Sequence, residues 1–364
     1  MPKLKASVVM AVRNGEGHLS CAVDSVLAQT FSDFEFIIVD DGSTDRTLSL
    51  LNDYARRDSR IRVLECQSEY PGQSEPANLG IGAAQGEYIC RTDADDVSVP
   101  TRLERQIGVL ESQPETGLVA GWAKLVDPSG TELAAWTCPQ SPHLIAWRLC
   151  FGNPLAHSSV TFRRKVFEAV GGYDVQSFYC EDFDLWCRLS RQTQLACIQQ
   201  EVVSLTRRAD SVTFRYGDTQ KARHDVAAAK HLSALLGHPV SEDAVRILHR
   251  QVEAPSEVAR EATDVVLSLW RRFDHREGIG DEARRGIRLD AGTRLWRLAG
   301  PASQGRVSVW RVLSRVLLLN PGIIGGQALR WMRPLFRLKN RVLQRKRRAV
   351  PEAGVGESRD HGHE

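Results

Sequence analysis

The stretch "GEYICRTDADDVSVP" (residues 86–100) decides how the rest of the chain is read. A glycine precedes a short apolar run, three acids (Asp93, Asp95 and Asp96) follow the run at once, and Pro100 opens what comes next. That order describes a buried strand running out into a loop, with proline in place to start a helix beyond it. Neighbouring carboxylates repel one another. The loop therefore needs solvent, a helix end or a bound cation to hold all three.

Outward from this stretch the same grammar recurs. "ASVVMAV" (6–12) is a β-branched run bounded by the Asn14-Gly15 turn, and Leu19, Val23, Val26 and Leu27 then fall at helical spacing. "FEFIIVD" (34–40) reads as a second strand, and in "DGSTD" (41–45) Ser43 and Thr44 stand where they would cap the helix of "RTLSLLNDYARR" (46–57). "IRVLEC" (61–66) is a third strand, "PANLGIGAAQG" (76–86) a short helix closed by Gly86, and "EYICRTD" (87–93) a fourth strand. Strands alternating with helices imply βαβ units and an α/β fold with a mostly parallel sheet flanked by helices. Such sheets bind ligands beyond the carboxyl ends of their strands. Both acidic clusters, "VDDGSTD" and "RTDADD", sit at such ends.

The next part is less regular. "GLVAGWAKLVD" (117–127) reads as a strand closed by the turn Pro128-Ser129-Gly130, with "TELAAWT" (131–137) as its hairpin partner. "HSSVTFRR" (157–164) reads as another strand, followed by a helix over 165–170 and the turn "GGYD" (171–174). "EDFDLWCRLSRQ" (181–192) reads as a helix with Phe183, Trp186 and Leu189 on one face and its acids at the start, where the helix dipole favours them. Beyond about residue 220 the chain turns helical and Arg-rich. We expect a catalytic domain over 1–225, a helical basic extension over 226–350, and a polar disordered tail over 351–364.

Composition excludes several classes. A 42% apolar and 26% charged make-up over 364 residues is that of an ordinary globular protein. Eight cysteines without short paired spacing argue against a zinc site or a secreted disulfide scaffold, and we expect reduced, mostly buried thiols in a cytoplasmic protein. The apolar stretch before Arg13 is too short for a signal peptide, and no run reaches the roughly 18 apolar residues of a membrane span. The formal charge of +3 is small, yet eight Lys or Arg and no acid fall within 331–350. Together with the apolar face of Val309, Trp310, Leu313, Val316 and Leu317, this segment reads either as an interfacial helix and polybasic anchor at the inner face of a membrane or as a packing helix with a solvated basic tail. Few aromatics interleave the basic cluster, which argues against nucleic acid.

An acidic loop is ordinarily solvated surface. Here the cluster follows a buried strand, a second acidic pair ends another strand, and a helix starts immediately after, which suits a hard divalent cation held by carboxylates and substrate phosphates. The blocks "SVVMAVRNGEGHL", "FEFIIVDDGSTD", "ANLGIGAAQGEYICRTDADDVSVPTRLERQ", "NPLAHSSVTFRR" and "GGYD…EDFDLWCRL" occur in the order seen in family 2 glycosyltransferases, which the chain resembles over about residues 6–215. The resemblance implies a GT-A-type, Rossmann-like fold and transfer of sugar, with inversion, from a nucleotide diphosphate donor to a glycan or lipid-linked acceptor in cell-surface polysaccharide synthesis. A uridine diphosphate sugar is the expected donor.

Residue by residue, the resemblance places Asp41 on the base with Asp40 beside it, and Ala11 and Arg13 at the end of the first strand in the nucleotide pocket. Asn78 and Gly80 would shape that pocket from the short helix. Asp93 would sit toward the ribose or metal, Asp95 on Mg²⁺ or Mn²⁺, and Asp96 behind them. Asp182 would be the base that takes the acceptor proton, with Glu181 adjacent and His157 and Trp186 supporting the cleft. Two departures stand out. Arg13 replaces the family's aromatic after the first strand, and would either stack by its guanidinium plane or bind phosphate. "SLTRRADSVT" (204–213) offers Arg207 and Arg208 where relatives carry a metal-completing histidine, so either fewer protein ligands hold the metal or an arginine neutralises the diphosphate.

Three rival readings carry different expectations. A nucleotidyltransferase would need a Gly-rich basic phosphate loop after its first strand, and "VRNGEG" is a poor one. A non-catalytic sugar- or nucleotide-binding protein of the same fold could lose Asp182, which is present. A dinucleotide-binding oxidoreductase would show GxGxxG, which is absent here.

Overall fold

The computed structural model describes residues 4–208, 211–250, 255–299 and 319. Nine strands form one sheet: β1 (Ala6–Val12), β2 (Phe34–Asp41), β3 (Ile61–Cys66), β4 (Tyr88–Asp93), β5 (Val97–Ser98), β6 (Thr116–Val126), β7 (Glu132–Trp136), β8 (Thr161–Arg163) and β9 (Gln194–Thr206). Their order is β3-β2-β1-β4-β8-β6-β9-β5, with β7 on β6. The first four strands pair in parallel, as do β6 and β9, whereas β5, β7 and β8 run antiparallel. The expected α/β architecture with a helical C-terminal part is present.

Helices cover both faces because every residue of β1 and β2 is buried. Alternate side chains point to opposite sides. Val8 and Met10 pack with α1 (Leu19–Leu27), α2 (Thr47–Arg57) and α4 (Arg102–Ser112), while Val9 packs with α3 (Ser74–Gly82). Further helices join the second face: α5 (Pro142–Leu149), α6 (Arg164–Ala169) and α7 (Glu181–Leu189). After the short α8 (Val212–Arg215), helices α9 (Gly217–Leu236), α10 (Glu242–Arg250), α11 (Ser256–Asp274) and α12 (Asp281–Ala299) add to that same core. Residue 225, the expected domain limit, lies inside α9. Trp147 of α5 shows how far the second core extends, meeting Phe273 edge-on at 5.4 Å and donating to Asp290 at 2.7 Å.

Gly86 lets α3 return the chain tightly against β1. A Cβ there would stand 2.4 Å from the Ala6 carbonyl carbon, too close for any side chain. The Asn14-Gly15 turn holds as expected, with Asn14 in the left-handed region at φ 55°. The 128–130 hairpin turn also holds, with the Gly130 amide bonded to the Asp127 carbonyl.

Four local expectations change. Ser43 and Thr44 do not cap α2: both bond to Asn14, and Asp45 accepts from the Thr47 amide instead. Residues 157–159 form a 3-10 turn, so the strand expected over 157–164 shrinks to β8. The long strand β9 was not expected, because Gln199, Gln200 and Glu201 interrupt its apolar run. Finally, Cys138 and Cys197 are joined in a disulfide across 59 residues, whereas Cys21, Cys66, Cys90, Cys150, Cys180 and Cys187 remain thiols. A pairing between a loop and a strand that far apart leaves no local spacing signal, which is why the all-reduced expectation fails for this pair.

No helix among the described residues is long and apolar enough to cross a membrane. The apolar face expected over 306–320 (apart from Leu319, which is buried), the basic segment 331–350 and the tail 351–364 lie outside the described residues.

Candidate active site

Parallel pairing sets the site's frame. In the register, Ala11 of β1 lies opposite Val39 on one side and Asp93 on the other, and Val12 lies opposite Asp40. The acidic ends of β2 and β4 therefore flank the end of β1, two strand spacings or about 10 Å apart. Arg13 emerges exposed just beyond.

At the β2 end, Asp40 is 3% exposed. One of its carboxylate oxygens accepts from the Ser43 amide, while Oδ1 is buried without a partner among the described residues. Asp41 Oδ1 accepts from the Ser68 amide at 2.8 Å and meets the Cys66 thiol at 3.5 Å. Burial, with the Asp41 charge, pushes that thiol up to about 11. Asp41 thus fastens the chain beyond β3 to the β2 end.

At the β4 end the acids divide by environment. Arg91, fully buried, donates to Asp93 at 2.7 Å and also bonds Gln73. Ser158 gives Asp93 a second bond, its hydroxyl donating at 2.5 Å. Burial works against the ionised form of Asp93, but Arg91 and Ser158 outweigh it and hold the carboxyl well below its usual range. Asp95 has weaker help. Burial and the Asp93 charge lift it to about 6, with Arg208 among the groups pulling the other way. Asp96 is driven well above its ordinary value by burial and by both neighbours, although Oδ1 accepts from the Thr206 amide. Three carboxylates with one buried arginine are a surplus of negative charge, and an oxygen-only donor set of this kind fits a hard divalent cation.

The third group arrives on α7. Asp182 stands half-buried in its first turn, with Oδ1 accepting from the Phe183 amide and Oδ2 from the Asn153 side chain, each at 2.7 Å. Burial raises this carboxyl to about 6 against both bonds, and the charges of Asp93 and Arg91 act on it in opposite directions. Asp182 and the β4 acids therefore share one field. Glu181 is lifted further, to about 7, by burial and by Asp182, and its Oε2 has no partner among the described residues.

Around them the supporting residues interlock. His157 Nε2 lies 2.8 Å from the Tyr173 hydroxyl and its ring meets Trp186 edge-on, with centroids 6.0 Å apart. Burial and Arg91 pull His157 down to about 3, so it is neutral here. The side-chain amide of Asn78 binds both the amide and the carbonyl of Tyr173, so it acts on the 171–174 turn and shapes the cleft from behind. Arg207, just past the end of β9, is exposed, and Arg208 reaches back to His18 Nδ1 on the β1–α1 loop.

The structure thus gathers Asp93, Asp95, Asp96, His157, Glu181, Asp182 and Arg208 about the strand ends, with Asp40 and Asp41 two strand spacings across the sheet. Sequence reading missed Arg91, Asn153 and Ser158. Only Arg91 carried a signal, being a lone cation inside an otherwise apolar strand.

A profile of Glycosyl transferase family 2 matches residues 7–170. The O-antigen biosynthesis glycosyltransferase WbnJ of Escherichia coli is 32% identical over 185 residues, which is 50% of this chain and 70% of that protein. The putative glycosyltransferase EpsE of Bacillus subtilis is 32% identical over 187 residues, 50% of this chain and 66% of that protein. The chain thus spans about two thirds of the length of these relatives. Among solved structures, S. aureus TarS 1-349 in complex with UDP-GlcNAc aligns with TM-score 0.55 at 15% identity, covering 86% of this chain and 89% of that one. That likeness is one of fold, and the fold is the GT-A type expected from the sequence.

Proposed function

Because the chain belongs to glycosyl transferase family 2, we propose that it moves a sugar from a nucleotide diphosphate sugar to a hydroxyl of a glycan or lipid-linked oligosaccharide, in one inverting displacement. The observation that carries this reading is the pairing of two unlike acidic groups in one field: ionised Asp93 beside Asp95 at the β4 end, and Asp182, near 6, at the start of α7. Inverting transfer needs such a division, with one cluster to hold the leaving group and one carboxylate to take a proton.

In this reading Asp95, with Asp93, would hold Mg²⁺ or Mn²⁺, which would supply positive charge against the departing diphosphate. The chain's own residues do the rest. Asp40 and Asp41 face the nucleoside, uridine being the expected base, with Ala11 and Arg13 at the neighbouring strand end. Asp182 accepts the acceptor proton on the oxygen that Asn153 orients. Neutral His157 lines the cleft with the buried Trp186 packed behind it, and Arg208 adds positive charge beside Asp95. The basic stretch 331–350 suits contact with anionic lipid, which would bring a lipid-linked acceptor to the site. Loss of membrane association on deleting 300–364 would support that contact, and unchanged distribution would remove it.

The test is calorimetry of nucleoside diphosphates and their sugars, with and without Mn²⁺ or Mg²⁺. The reading expects saturable binding of a nucleotide sugar that weakens when the metal is chelated. Absence of binding across the panel would contradict it.

A further inference from the structure

A second cleft lies on the other side of α7. It holds about 480 Å³ and is bounded by α7, α9 and the 171–174 turn. A helix advances 100° per residue. Asp184, Cys187 and Arg188 therefore stand roughly 140° to 240° around α7 from Asp182, on the face turned away from the acidic site. Nothing in the proposed transfer uses this space.

Its wall and rim are built for an anion. His231 of α9 lines the cleft and is 3% exposed, yet neither ring nitrogen has a hydrogen-bond partner among the described residues. A buried imidazole left without a partner costs stability unless something in the cleft answers it. Arg191 and Lys230 also line the cleft, and neither pairs with an acid among the described residues. Of the other charged groups facing it, Arg188 and Asp184 offset one another, while Asp174 keeps its negative charge. Arg188 donates to Asp184 at 2.8 Å and to the Val170 carbonyl at 2.7 Å, and Asp174 accepts from the Gln176 amide and the Ser177 hydroxyl. Among the described residues, two cations without an acid partner and one buried imidazole remain, against the single Asp174 carboxylate. The lining keeps a net positive charge that favours an anion, and a guanidinium fork matches the oxygens of a phosphoryl group.

We propose that this cleft binds the phosphoryl group of a small phosphate ester, seated on His231 between Arg191 and Lys230. The cleft's volume leaves room for the ester's organic part beside the phosphoryl group. The inference is independent of the transferase reading, since it uses none of the acids at the strand ends.

The test is a calorimetric titration of the full chain with inorganic phosphate, in chloride buffer with chelator present. Saturable binding is expected. Binding should weaken at least about tenfold in the double variant Arg191→Ser/Lys230→Ser, the loss of a charge-assisted hydrogen bond. Both substitutions are on exposed side chains, so folding should be unaffected, and nucleotide-sugar turnover should stay at the wild-type level. His231→Leu keeps the cations and removes the donor, and should also weaken binding, while His231→Gln, which restores a donor, should recover it. Three results would overturn the proposal: no saturation, equal binding by the double variant, or equal binding by a folded His231→Leu protein.

Discussion

The side-chain amide of Asn153 donates to Asp182 Oδ2 at 2.7 Å, joining the loop before the 157–159 turn to the first turn of α7. That bond favours the ionised carboxylate and opposes the burial that raises Asp182 to about 6. Asn153→Ala removes a hydrogen bond to a charged group, worth about 1.5–3 kcal/mol, or about one to two pKa units. The Asp182 pKa should rise, and the acidic limb of the pH–rate profile should move upward by about that amount. A profile that keeps its position while activity falls would show that Asn153 acts on the fold alone.

Protons and cation should compete at Asp95. Its folded pKa is raised to about 6, so the proton is bound more tightly in the folded chain than in the unfolded one. Metal needs the ionised form. The increase in melting temperature on adding Mn²⁺ should therefore be larger at pH 7.5 than at pH 5.5, because the lower pH lies below that pKa. Thermal melts at both pH values check this, and equal shifts would remove Asp95 from the metal's ligands.

Catalysis should show the same sign for Asp182. A general base works ionised, so turnover should fall about tenfold per pH unit once the pH drops below about 6. A rate that rises on acidification would argue that this carboxyl acts as an acid.

Gly86→Ala tests the frame that holds the strand ends together. Its methyl would stand 2.4 Å from the Ala6 carbonyl carbon and 2.5 Å from the Ser7 nitrogen, both backbone atoms that cannot step aside. Overpacking of this kind costs about 1–3 kcal/mol. Chemical unfolding should show that loss, and an unchanged midpoint would mean that α3 can lift from β1 freely.

What could be read in the sequence follows from range. Strands β1 to β4 announce themselves because each is a short apolar run ended by turn residues, and the acids at their ends mark the site. The start of α7 is also legible, since Glu181 and Asp182 precede a helical apolar face. Strand β9 is hidden by its polar middle and by register shifts against β6 near Trp122. Asn153 is invisible for a different reason: its partner lies 29 residues away and only the folded turn brings them together. Arg91 was legible as an oddity, but its meaning needs Asp93 and Gln73 beside it in space. The pairing of Cys138 with Cys197 is likewise a product of the folded sheet.

The central claim is that Asp182 takes the acceptor proton while the β4 acids hold the donor. Asp182→Asn keeps the shape of the side chain and its contact with the Phe183 amide, but it cannot accept a proton. Turnover of the nucleotide sugar identified by calorimetry should drop by at least about a hundredfold, the scale of general base catalysis. Donor affinity measured on the same preparation should stay within about twofold. Wild-type turnover in the Asp182→Asn protein would contradict the account.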